Sequence, residues 1–140
     1  MQDIRAQLLA AFEAEHRDHL AAMRDAFAKA AQGRAYDLKD VFRRAHSLKG
    51  AARAVDLPMI EDLAHRLEAV LQRALDEEAS LAPGDLRVLE MGLDAIEAGA
   101  ADVAAGRAPA DPATARAALD ALLAGEPPAP AAPPAPEPAP

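Results

Sequence analysis

The stretch "VFRRAHSLKGAARAV", residues 41–55, decides how the chain is read. Val41, Ala45, Leu48, Ala52 and Val55 recur at spacings of three and four, the repeat of one buried face of an α-helix. Leu38 extends this near-heptad seam upstream, and Asp37 is a good N-cap for the helix. On a wheel of about 100° per residue, His46 falls about 120° from the centre of the seam, towards solvent. Lys39, Phe42, Arg43, Lys49, Gly50 and Arg53 run along the same flank. From residue 35 to 55, Lys39, Arg43, Arg44, Lys49 and Arg53 are opposed only by Asp37 and Asp40. This helix is therefore positive in a chain whose net charge is −8.

Outward from that helix the same periodicity continues. From about Asp3 to Ala31, Ile4, Leu8, Ala11, Phe12, Leu20, Met23 and Phe27 outline an amphipathic helix, with Gly33 just past its end. Pro58 opens a third helix that runs to about Glu78 and buries Ile60, Leu63, Leu67, Val70, Leu71 and Leu75. A fourth spans about Pro83 to Ala105 on Leu86, Leu89, Leu93, Ile96 and Val103. "GRAPADP" then interrupts, and a short fifth helix ends at Gly125. Short connections between long amphipathic helices favour antiparallel neighbours. The expected fold is all-α: an up-down antiparallel four-helix bundle over residues 1–106, with an additional short C-terminal helix at 107–125 packed on it. Residues 126–140 hold eight prolines, a composition that builds no core and reads as a disordered Pro/Ala-rich linker.

Composition narrows the function classes. With 140 residues the chain has the length of one domain, and its aromatic content of 3% against 51% hydrophobic residues suits alanine- and leucine-rich helices. The absence of cysteine excludes disulfides and thiolate chemistry. No apolar run approaches the roughly 20 residues that span a bilayer, and the charged N-terminus is no secretory signal. A cytoplasmic protein with no membrane contact is expected. The acidic balance argues against nucleic acid as partner, because phosphate backbones demand positive surface.

The positive flank around His46 suits phosphoryl transfer. A neutral imidazole nitrogen is a competent nucleophile near pH 7. Lys49, one turn along, could neutralise an acquired phosphoryl group. Gly50 costs about 1 kcal/mol in a helix interior relative to alanine, which makes sense where a bulky partner must approach. An ordinary solvated face, with a glycine that permits close helix packing, accounts for the same residues. On the third helix Glu61, His65, Glu68 and Gln72 form a polar flank that could face His46.

"AHSLKGAA", residues 45–52, resembles the phosphorylation motif of histidine phosphotransfer (HPt) domains, in which His-x-x-Lys-Gly lies on the second helix of a four-helix bundle. "HRLEAVL", residues 65–71, is similar to the His-x-x-Glu motif of the N-terminal HPt domain of CheA-type chemotaxis histidine kinases, and His65 follows His46 by the same 19 residues. "FEAEHRDHLAAM" resembles the first helix of that domain. Recognisable motifs cover roughly residues 8–75, and helical pattern alone extends the likeness to about 105. The resemblance implies that His46 accepts and donates the phosphoryl group and that Glu68 hydrogen-bonds the far ring nitrogen. It also implies that Lys49 meets the phosphoryl oxygens and that His65 completes the polar cluster. Gly50, Lys39, Arg43, Arg53 and Phe42 would meet partners, namely a separate ATP-binding kinase domain and response-regulator receiver domains. No cofactor or metal is expected on this domain, since ATP and Mg²⁺ would act through those other domains, and the isolated domain is expected to be a monomer that does not catalyse alone.

The resemblance has departures. The connection "ARAVDLPMIE" lacks the glycine and aromatic frequent in the family, and His16 and His19 have no counterpart and are expected at the surface. Two alternatives stand beside phosphotransfer. One is an adaptor that keeps the fold without the chemistry. The other is a metal-binding bundle using the Glu-x-x-His spacing of Glu13 and His16, whose nearest second copy is only Asp62 to His65.

Overall fold

The computed structural model describes residues 2–125, so the proline-rich linker expected at 126–140 lies outside the described residues. Five helices follow in order: α1 Gln2–Ala31, α2 Leu38–Ala54, α3 Pro58–Asp76, α4 Pro83–Ala104 and α5 Ala113–Leu123. α1 packs on α2 and α4, and α3 packs on α2 and α4, which puts α1 and α3 on a diagonal of a square bundle. α5 lies outside the square, against α3 and α4.

The helix ends are written in local chemistry. Asp37 accepts a hydrogen bond from the Asp40 N–H at 3.1 Å and starts α2. Pro58 and Pro83 occupy first-turn positions, where a missing N–H costs nothing. α2 stops in a Schellman turn, with the Leu57 N–H on the Ala52 carbonyl at 2.9 Å. The left-handed residue of that turn is Asp56, at φ 58°. The connection thus makes a turn that favours glycine, at the cost of a side chain in the αL region. Asp56→Gly is expected to stabilise the domain by about 1 kcal/mol, read as a melting temperature higher by a few degrees. After α4, Asp102 holds the next loop by accepting from the Ala110 N–H at 3.1 Å and from Arg107 at 3.0 Å. Those bonds, the Ala110 N–H first, keep its carboxyl below the ordinary range.

The core runs from Phe12, Leu20, Met23 and Phe27 of α1 through Val41 and Leu48 of α2 to Leu63, Leu67 and Leu71 of α3 and Leu89, Leu93 and Ile96 of α4. Several expectations about burial are corrected. Ile4 and Leu8 are 63% and 44% exposed, and Ala11 is exposed too. Arg5 already reaches the Val55 carbonyl at 3.1 Å, so these first turns lie beside the end of α2. Among the described residues, no further helix covers their outer side. Leu75 is half-buried, and Ala74 takes the buried place at that turn. His16, expected at the surface, is 3% exposed.

The reason for the last correction is spacing. His16 lies four residues after Phe12 and four before Leu20, in line with the apolar stripe. Its Nδ1–H donates to the Phe12 carbonyl at 3.1 Å, and its ring stacks on Phe12 with centroids 5.2 Å apart. Glu13 meanwhile pairs with Arg17 at 2.6 Å. His19 is half-buried, between Glu15 and Arg44. Among the described residues, no group of three or more His, Asp or Glu side chains is placed to hold a metal ion. No helix among them is long and apolar enough to cross a membrane.

Candidate functional site

Two helices build the site. α2 and α3 are adjacent antiparallel neighbours joined by the short turn at Asp56, so His46, midway along α2, comes level with Glu68 on α3. One carboxylate serves two donors. Glu68 Oε2 is hydrogen-bonded to His46 Nδ1, and Oε1 accepts from Lys49 Nζ at 2.7 Å. The Glu68 side chain is 14% exposed and that of Lys49 24%, whereas His46 is 65% exposed. The acid is therefore tucked beneath an imidazole whose far edge faces solvent.

Burial raises the Glu68 pKa, but hydrogen bonds from Lys49 and His46, together with their charges, outweigh it and hold the carboxyl below its ordinary value. An ionised carboxylate only accepts, so the shared proton belongs to His46 and Nδ1–H is the donor. In the neutral imidazole this leaves Nε2 with its lone pair, on the open side of the ring. The carboxyl's depressed pKa has a stability sign. Glu68 contributes stability above its unfolded pKa of about 4.3, and that contribution is lost as pH falls through the lower folded value.

The remaining expected site residues take different places. Gly50 is exposed, and a Cβ built there meets nothing within 4 Å. Helix packing does not require this glycine. Gly50→Ala is thus expected to stabilise the isolated domain by about 1 kcal/mol, measurable as a higher denaturant midpoint at unchanged slope. Lys39 is exposed. Arg43 is exposed with Asp40 at 3.5 Å, and Arg53 is exposed with Glu61 at 4.0 Å. Phe42 departs from the exposed flank, being half-buried and packed against the core. His65 is exposed and lines a shallow groove with Lys49, Arg53, Pro58, Glu61 and Asp62. Among the described residues it makes no hydrogen bond to Glu68 or Lys49.

Arg44 belongs elsewhere. Its Nε donates to Asp40 at 3.1 Å, and Nη1 reaches Asp18 at 3.5 Å and His19 at 3.3 Å, so it clasps α2 to α1. Of the cations on α2, Lys49 alone lies against the imidazole's acid partner. The feature the sequence left open was which oxygen goes to which donor. Helical phase puts His46 and Glu68 on facing flanks, but the sharing of one carboxylate depends on how α2 and α3 cross.

Searches of curated proteins and of solved structures gave no match. A family model, the Hpt domain, matches residues 7–99, the span that carries the bundle, His46, Lys49, Gly50 and Glu68. Hpt domains are phosphotransfer modules of two-component signalling that work between kinases and response regulators and are not catalytic on their own. With an all-helical bundle and a matched stretch covering most of the described residues, the chain belongs to the Hpt domain family.

Proposed function

We propose that His46 is the phosphoryl carrier, loaded from ATP by a separate kinase domain of the chemotaxis type and unloaded onto an aspartate of a response-regulator receiver. The observation that carries this is the pairing of His46 Nδ1–H with a half-buried, ionised Glu68 while Nε2 stays open to solvent. In the loading step the Nε2 lone pair attacks the γ-phosphorus, the bond from phosphorus to the bridging oxygen breaks, and ADP leaves. The ring keeps its Nδ1 proton and becomes cationic, and Glu68 stabilises that charge as it develops. In unloading, an aspartate oxygen attacks the same phosphorus, the P–N bond breaks, and its electron pair returns to Nε2. No proton needs to leave the ring in either direction.

Lys49 has two claims on it. It is held by Glu68 at 2.7 Å, so meeting the phosphoryl oxygens would require it to swing from that oxygen or bridge both. Lys39, Arg43 and Arg53 supply the exposed positive surface that would steer an acid-lined receiver pocket to His46. Gly50 leaves the approach open, so the stabilising Gly50→Ala change is expected to slow transfer to and from partners. ATP and Mg²⁺ would be bound by the kinase and receiver domains, in the cytoplasm, with this domain acting as a monomer. No observation favours the metal-binding alternative.

The test is intact-protein mass after incubation with ATP, Mg²⁺ and a chemotaxis-type kinase core. One added phosphoryl group, labile to acid, stable to base and mapped to His46, is the expected result. No uptake from a kinase core shown active on another Hpt domain would leave the adaptor alternative.

A further inference from the structure

The stretch matched to the Hpt family stops at residue 99. The helix that follows is packed against α3, which carries Glu68. α5 buries Ala115, Leu119 and Leu122 against α3 and α4. Two arginines of α3 clasp it. Arg66 Nε donates to Asp120 Oδ1 at 2.7 Å, while its other arm pairs with Asp62 one turn back on α3. Arg73 donates to the Leu123 carbonyl at 3.3 Å, at the end of α5. Close to these clasps, Leu67 and Leu119 converge over Gly92. A Cβ on Gly92 would meet Leu67 Cδ2 at 2.9 Å and Leu119 Cδ1 at 3.4 Å. Leu67 is fully buried and directly precedes Glu68.

We propose that α5 is a positioning element of the phosphotransfer site. By backing Leu67 against Gly92 and engaging Arg66, it holds α3 at the height and rotation where one carboxylate reaches both His46 and Lys49. The tolerance is small, because a constellation of this kind works only within about 0.5 Å of its geometry. Close-packed interiors pass a displacement on rather than absorb it. Were Leu119 shortened, Leu67 would relax into the vacated space and carry the backbone of Glu68 with it. The kinetic consequence rests on the phosphotransfer function proposed above, whereas the geometric consequence does not.

The experiment compares Leu119→Ala, Asp120→Ala and Asp120→Glu in the full chain. One readout is the ¹⁵N–¹H correlation of the His46 ring at a pH where imidazole is neutral, which reports its tautomer. The other is the rate of phosphoryl uptake from the kinase core. Wild type should show the Nδ1–H tautomer. In Leu119→Ala and Asp120→Ala, mixed tautomers and uptake slowed by roughly tenfold are expected, and Asp120→Glu should restore both. The Asp120 side chain is 53% exposed, so its replacement leaves the fold intact even if Leu119→Ala does not fold.

Leu86→Ala, a cavity on the side of α4 that faces Phe27, serves as the comparison for lost stability alone. A single unchanged tautomer and unchanged uptake in the α5 variants, despite lowered melting temperatures, would overturn the proposal. So would an equal tautomer change in Leu86→Ala. A tautomer that responds to α5 in a protein that never takes up phosphate would sink the phosphotransfer function and leave the positioning role standing.

Discussion

His46→Gln is expected to take up no phosphoryl group while keeping its folding stability within about 1 kcal/mol of wild type. The two halves of that expectation have separate causes. His46 is 65% exposed, so replacing it removes one hydrogen bond and little burial. Lys49 remains on Glu68 at 2.7 Å and keeps the carboxylate from being left unpaired. An uncharged amide nitrogen, by contrast, has no available lone pair with which to attack phosphorus. Intact mass after incubation with kinase and ATP, together with a thermal melt, checks both. Residual uptake at a second residue would remove His46 from its role, and a collapsed melt would make the loss uninformative.

The second large effect is at Glu68. Glu68→Ala is expected to slow phosphoryl uptake about 10²-fold, the lower end of what a positioned acid–base partner contributes. The variant loses both of Glu68's functions at once, fixing the Nδ1–H tautomer and balancing the charge that appears on the ring. Glu68→Gln separates them. Its carbonyl oxygen can still accept from Nδ1–H, so the tautomer should persist while the charge balance is gone, and uptake should fall to an intermediate rate. Equal rates in wild type and both variants would mean that the carboxylate is only a structural partner of Lys49. Because Glu68 titrates below its ordinary value, the pairing survives mild acid and fails only as pH falls through that lowered value.

Much of this protein was legible before its structure. The 3.6-residue repeat placed α1 to α4 to within about two residues of their ends, because apolar periodicity and end signals such as Asp37, Pro58 and Pro83 are local properties of the chain, whereas α5, expected at 107–125, spans only Ala113–Leu123. Helical phase likewise turned His46 outward, since exposure on a helix follows from the angle to the buried seam. The burial of His16 follows the same stripe, four residues after Phe12 and four before Leu20, although a histidine by type favours the surface.

What only the tertiary structure decided is longer in range. Ile4 and Leu8 continue the stripe of α1, yet they stay exposed because no helix among the described residues lies over those turns. Asp56 adopts the backbone of a glycine because the Schellman turn between α2 and α3 dictates φ there whatever side chain it carries. His46 and Glu68 stand 22 residues apart, and Leu119 reaches Gly92 across 27. Pattern within a helix sets which flank a residue occupies. The height, rotation and crossing of one helix against the next come from side chains filling a shared core, and those settle that one carboxylate bridges an imidazole and a lysine while a fifth helix backs the turn that holds it.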